Sequence, residues 1–188
     1  MSQKIAIVGG GYIGAELAKS LCDTAEVTLI EPRSHFVHAP AMIRAVVDPS
    51  LLDRALIPYD RLLMNGRVIA SKATAIDAEG VTLEDGTRVE ADQIVVATGS
   101  SNAMPFKPQG ADIKGLKADN HRIYQQLKAA RRIGIVGAGA VGTELAGEIA
   151  YAMPDKNSRR CRQSWALHWL RNCARLASHS FSASGRRT

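Results

Sequence analysis

The chain has 188 residues, 46% of them hydrophobic, and a mean hydropathy of −0.08; this suits a globular core and leaves no apolar run long enough to span a bilayer. The formal net charge of +6 is not spread over the body: residues 1–157 hold 17 Lys and Arg against all 18 Asp and Glu, whereas residues 158–188 hold seven Arg and no acid, so no nucleic-acid-binding face is expected on the fold itself. Three cysteines, Cys22, Cys161 and Cys173, lack CxxC spacing, so neither a disulphide framework nor a zinc site is supported and a reducing, cytoplasmic setting is expected.

Lys4 to Val8 is a short apolar run that ends on glycines. A helical pattern follows from Tyr12 to Leu21, with Ile13, Leu17, Ala18 and Leu21 on one face, and then a second apolar run, Val27 to Ile30. This is strand, glycine turn, helix, strand, with both strands apolar enough for a buried parallel sheet. His35 to Tyr59 is mixed, with helices expected around Ala41 to Val47 and Ser50 to Leu56 and with Pro49 and Pro58 as stops. Val68 to Ile76, Gly80 to Glu84 and Thr87 to Val89 alternate around an Asp85-Gly86 turn and read as a β-meander. Ile94 to Ala97 is a further buried strand closing on Thr98-Gly99, and Ser101 to Gly115 reads as a linker. Asn120 to Ala130 is helical; Arg132 to Val136, Gly137 to Gly142 and Thr143 to Met153 then repeat strand, glycine turn and helix.

The glycine spacing has a chemical reason. A pyrophosphate needs main-chain N–H groups pointing at it from a helix N-terminus with no side chain in the way. Gly9 allows the tight turn, Gly11 lets the backbone approach the phosphates, and Gly14 lets the helix pack on the strand. Glu31, at the end of the second strand, is placed to accept from both ribose hydroxyls. A second GxGxxG, at Gly137, Gly139 and Gly142, makes the pair far more specific than either alone.

Two GxGxxG units with Ala97-Thr98-Gly99 and a β-meander between them resemble the two-dinucleotide-binding-domain flavoproteins, the pyridine nucleotide-disulphide oxidoreductase superfamily. Within it, His35 to His38, Ala41 to Ala45 and Ile57-Pro58-Tyr59 resemble the apoptosis-inducing-factor-like, ferroptosis-suppressor branch. The resemblance implies an α/β fold: a Rossmann-like FAD-binding domain over residues 1–110, with parallel sheet and β-meander, and the start of a Rossmann-like NAD(P)-binding domain over 111–157. It implies an FAD-dependent NAD(P)H oxidoreductase that passes hydride to a small-molecule acceptor such as a quinone. By position, Gly9, Gly11, Gly14 and Glu31 would hold the adenosine diphosphate half of FAD. Ala73 and Thr74 would offer main chain to the adenine, Thr98 and Gly99 would pass near the cofactor, and Gly137, Gly139, Gly142 and Glu144 would face NAD(P)H. Arg44 is either an approach to the pyrophosphate or flavin or a solvated helix charge; His35 and His38 read as ordinary loop histidines.

After Asn157 the second unit calls for an apolar strand, and Ser158-Arg159-Arg160-Cys161-Arg162 stands there instead. The abrupt change of composition predicts that residues 158–188 are a basic, off-frame tail on a truncated second unit. Two further functions are therefore carried: a dinucleotide-binding fragment without turnover, and a tail in which Trp165, Trp169, Cys173 and Leu176 lie on an anionic membrane surface or touch nucleic acid.

Overall fold

The computed structural model describes residues 2–100, 112–137 and 139–157. They fall into two compact units divided between Ile123 and Tyr124. The first runs through β1 (Lys4–Val8), α1 (Tyr12–Leu21), β2 (Glu26–Ile30), β3 (His35–Val37), α2 (Ala39–Ala45), a 3-10 turn (Pro49–Leu51), α3 (Leu52–Ala55) and β4 (Leu56–Pro58). A second 3-10 turn (Tyr59–Arg61) leads to β5 (Arg67–Ile69), then β6 (Ala73–Ile76), β7 (Gly80–Leu83), β8 (Arg88–Glu90), β9 (Gln93–Val96) and α4 (Ile113–Ala129), within which the division between units falls.

Four strands form a parallel sheet in the order β5-β2-β1-β9. Strand period explains the layers on either side. Ile5 and Ile7 point to the face covered by α1, where they meet Ala15, Ala18, Val27 and Leu29; Ala6 and Val8 point to the other face and pack with Ile30 of β2 and with Val81, Leu83 and Val89 of the antiparallel β6-β7-β8 meander. The result is helix, sheet, meander: an α/β, Rossmann-like fold in which both faces of the central strands β1 and β2 are covered, whereas β9, expected as a buried strand, is only partly covered, with Val96 60% exposed.

The expected elements β1, α1 and β2 form where periodicity places them. Ile13 departs from the expected buried face, being 71% exposed in the first turn of α1. Val68 to Ile76 is not one meander strand. Arg67–Ile69 pairs in parallel with β2, and after a tight turn, closed by Ser71 N–H on the Ile69 carbonyl at 2.9 Å, Ala73–Ile76 joins the meander. The second expected helix stops at Ala55, because Leu56–Pro58 pairs antiparallel with His35–Val37. Pro49 opens a turn rather than stopping one: Asp48 accepts from the Ser50 amide and hydroxyl, and a proline tolerates that first-turn position.

α4 starts seven residues before the expected Asn120, inside the stretch read as linker. Asp112 accepts from the Lys114 amide at 2.9 Å, an N-terminal cap that offsets the cost of Gly115; residues 101–111 of the expected linker lie outside the described residues. Leu116 packs under Met42, Leu52 and Leu56. One turn on, Asn120 is fully buried, and among the described residues neither its Oδ1 nor its Nδ2 has a hydrogen-bond partner. Such a group costs about 1–3 kcal/mol. Asn120→Leu is therefore expected to raise unfolding stability by roughly 1 kcal/mol, read as a higher urea midpoint at unchanged slope.

The second unit holds the end of α4, α5 (Ala140–Ala152) and α6 (Pro154–Asn157). Lys156 Nζ donates to the Leu127 and Ala130 carbonyls at 2.6 and 2.9 Å and to that of Lys128, closing the carbonyl end of α4. Arg132 to Val136, expected as a strand, is not one: among the described residues it has no strand partner, and Ile135 and Val136 are exposed. An apolar run becomes a parallel strand only where neighbours complete its ladder. The basic tail lies outside the described residues.

Candidate functional site

The strand order turns from β1 to β2 on one side and to β9 on the other, so a crevice opens at the carboxyl end of β1, the switch point at which open α/β sheets bind ligands. The first glycine turn, Glu31 and Arg33 after β2, Tyr59, and Ala97 to Ser100 after β9 line this cleft, with Tyr12, Ile13, Val37 and Ala39 at its margin.

The packing of the protein demands glycine at two positions of the turn and leaves the third open. Gly9 has φ of +104°, and a Cβ there would stand 2.6 Å from the Ala97 carbonyl oxygen. At Gly14 a Cβ would stand 1.8 Å from the Gly9 carbonyl oxygen, where α1 crosses the turn. Gly11 is the N-cap of α1, has no side-chain cap, and a Cβ there would meet nothing within 4 Å. No protein atom therefore demands glycine at 11. Open space lies in front of the helix there, where first-turn amides lack intrahelical acceptors and the helix dipole favours an anion.

Gly10, not singled out by the spacing, is hemmed in by side chains where Gly9 and Gly14 are hemmed in by main chain. Its N–H donates to Glu31 Oε2 at 2.7 Å and its carbonyl accepts from the Tyr59 hydroxyl; a Cβ would meet that hydroxyl at 2.5 Å and Glu31 Cγ at 2.9 Å. Tyr59 and Glu31 thus clamp the turn from one side. Both are buried, Glu31 to 1% exposure. Burial alone would raise the Glu31 pKa, but hydrogen bonds from the Arg33 side chain and the Gly10 and Arg33 amides, with the Arg33 charge, hold the carboxyl below its ordinary value. Burial, reinforced by the negative Glu31, pushes the Tyr59 phenol far above its usual range, so it stays a neutral donor to the turn.

At the margin, the Tyr12 hydroxyl and His38 Nδ1 lie 2.6 Å apart and Phe36 meets the Tyr12 ring edge-on at 4.9 Å. His38, read as an ordinary loop residue, thereby joins α1 to the start of α2. Its partner lies 26 residues away, which no local pattern reveals. His35 hydrogen-bonds Ser34.

Thr98 and Gly99 reach the cleft, Gly99 with φ of +65°. Arg44 is exposed in the last turn of α2 and does not line it. Ala73 and Thr74 do not line it either; the β6 register shifts between Ala73 and Ala75, and the Thr74 hydroxyl is taken by the Thr82 and Leu83 carbonyls at 3.2 and 3.3 Å. In the second unit Gly137 has φ of +104°, Gly139 is an uncapped N-cap, and a Cβ at Gly142 would stand 2.1 Å from the Gly137 carbonyl oxygen. At these three glycines the second turn repeats the backbone geometry of the first. Glu144 is exposed on α5.

Known proteins agree with this architecture. Residues 61–158 match the family described as pyridine nucleotide-disulphide oxidoreductase, and residues 4–86 match a second domain of the same description. Apoptosis-inducing factor homolog A of Dictyostelium discoideum is 39% identical over 168 residues, which is 88% of this chain and 41% of that protein. Ferroptosis suppressor protein 1 of Taeniopygia guttata is 30% identical over 159 residues, 82% of this chain and 42% of that protein. The chain thus spans less than half the length of these relatives. Among solved structures, the sulfide:quinone oxidoreductase of Aquifex aeolicus superposes with a TM-score of 0.65 at 22% identity, over 84% of this chain and 41% of that one. A chain of the covalent putidaredoxin reductase-putidaredoxin complex gives 0.61 at 22% identity, over 80% and 40%. With a family match over more than half of its length, the chain belongs to the pyridine nucleotide-disulphide oxidoreductases, whose cofactors are FAD and NAD(P)H.

Proposed function

We propose that the chain contributes to an FAD-dependent NAD(P)H oxidoreductase, in which hydride passes from NAD(P)H to FAD and then to a small-molecule acceptor such as a quinone. The observation that carries this is the pair of glycine turns that match at their three glycines, the first hydrogen-bonded to a buried carboxylate at the edge of an open cleft. The empty space at Gly11 and the uncapped helix end suit a pyrophosphate. Main-chain amides of the first turn of α1 would hold the phosphates, Glu31 the adenosine ribose, and Tyr59 would keep the turn in place. Ala73, Thr74 and Arg44 enter the proposal only by family position. Gly137, Gly139, Gly142 and Glu144 would serve the nicotinamide dinucleotide. When bound, the flavin supplies the hydride chemistry; the chain's own part is to orient the two dinucleotides and exclude water from the carboxylate. The disulphide of the family name has no counterpart among the described residues, where Cys22 is the single cysteine, buried at the end of α1.

A second reading, a dinucleotide-binding fragment without turnover, is favoured by one observation: Arg132 to Val136 does not form the strand that should precede the second turn. Purification separates the two. A yellow protein whose visible flavin absorbance is bleached by NADH supports the oxidoreductase, whereas a colourless protein that binds ADP supports the fragment. Among the described residues no helix is long and apolar enough to cross a membrane. A cytoplasmic setting, with membrane-surface contact through the basic tail, belongs to the same proposal and is tested by vesicle sedimentation with and without residues 158–188.

A further inference from the structure

The Glu31 carboxylate already accepts four hydrogen bonds from its own chain. Two come from main-chain amides, Gly10 to Oε2 at 2.7 Å and Arg33 to Oε1 at 3.1 Å. The other two come from the Arg33 side chain, Nε to Oε1 at 2.7 Å and Nη2 to Oε2 at 3.3 Å. An ionised carboxylate offers about four lone-pair sites, so no capacity is left for a sugar. A ribose presents two vicinal hydroxyls, one for each carboxylate oxygen, and must therefore replace two donors. The main-chain pair is fixed by the glycine turn and by the path of the chain out of β2. The guanidinium is not fixed in that way: 28% of the Arg33 side chain is exposed against 2% of Glu31, and Arg33 lines the same cleft. Its two N–H groups occupy one oxygen each, the same pattern a vicinal diol would use. Local sequence sets this up, because Arg33 follows Glu31 by two residues across Pro32, whose ring restricts the backbone.

We infer that Arg33 is a displaceable cover on the ribose site, a stand-in for the vicinal hydroxyls of an adenosine ribose that exchanges two N–H donors for two O–H donors when a ribonucleotide enters. This rests on the proposal that the cleft takes an adenine dinucleotide. Two consequences follow from the exchange. The buried carboxylate keeps its partners when no ligand is present, so the turn clamped by Gly10 holds its shape. Binding is weaker than to a cleared site, and a ligand that returns only one hydroxyl leaves a carboxylate oxygen short of a donor.

The test uses the full chain, wild type and Arg33→Ala, titrated with adenosine and with ADP. Adenosine carries no phosphate, so it separates removal of the cover from loss of a positive charge near an anion. Arg33→Ala is expected to bind adenosine about tenfold more tightly, the weight of one charge-assisted contact, with Arg33→Lys in between. In the wild type, the Arg33 Nε–H resonance is expected to shift on saturation with ADP. This second readout holds even if the variant folds poorly. If Arg33→Ala binds adenosine no better, or the resonance stays in place while ADP saturates the wild type, the cover is wrong and the dinucleotide site stands. If neither nucleoside nor nucleotide binds either protein, both fall.

Discussion

Gly14→Ala is expected to destabilise the first unit by about 3 kcal/mol or more and to abolish dinucleotide binding. The added methyl would stand 1.8 Å from the Gly9 carbonyl oxygen and 3.0 Å from its carbon, and both are main chain, so no side chain can rotate to make room. α1 must instead lift from the end of β1, opening the core in which Ala15 and Ala18 meet Ile5 and Ile7. Gly11→Ala is the internal control. Its methyl would meet no protein atom within 4 Å, and the φ of −70° suits any residue. Stability should change by less than about 1 kcal/mol, the scale of an N-cap exchange, while ligand affinity is expected to fall because the methyl would enter the space proposed for the phosphates. Urea unfolding read beside ADP titration separates the two. Equal destabilisation by both substitutions would mean that the turn is crowded for reasons unrelated to a ligand.

Glu31→Gln is the second large effect. The amide oxygen can still accept from Gly10, but the charge that binds Arg33 and would bind a ribose is gone. A hydrogen bond to a charged group is worth about 1.5–3 kcal/mol, so ADP affinity is expected to fall between roughly tenfold and a hundredfold. The same substitution should flatten the acid limb of stability. Glu31 has a folded pKa below its ordinary 4.5, so its contribution is fully present above that value and is lost as pH falls through the lower folded pKa. Asp77, held at about 2 by its Arg88 hydrogen bond, titrates in the same direction but is exposed and contributes little. The wild type should therefore lose more stability than Glu31→Gln between pH 4.5 and the acid end of the scale. Parallel pH curves for the two proteins would show that the Arg33 and Gly10 contacts leave the carboxyl unperturbed.

Local pattern reveals the parts of this fold whose cause is local. β1, α1 and β2 lie where the apolar periods and the glycines put them, since each signal is complete within its own segment. β3 and β4 are three residues each and recognise one another across about twenty residues, too short for any period to register. β5 was hidden because Val68 and Ile69 alternate equally well as meander or as parallel edge, and only pairing with β2 decides. Arg132 to Val136 fails in the opposite sense: the local pattern is that of a strand, but the described residues supply no ladder.

The candidate site follows the same rule. Gly9, Gly11, Gly14 and Glu31 are visible because their spacing along the chain is itself the signal. The clamp around Gly10 is not, because Glu31 and Tyr59 come to it from 21 and 49 residues away. Arg33 had a faint signal in Glu-Pro-Arg, but only the saturated carboxylate shows what the arginine does there.

The most direct test of the central claim, that the first turn and Glu31 hold the adenosine diphosphate half of FAD, is competition for FAD bound to the purified chain. ADP should displace it at saturation and FMN, which lacks that half, should not. Displacement by FMN and not by ADP would contradict the account.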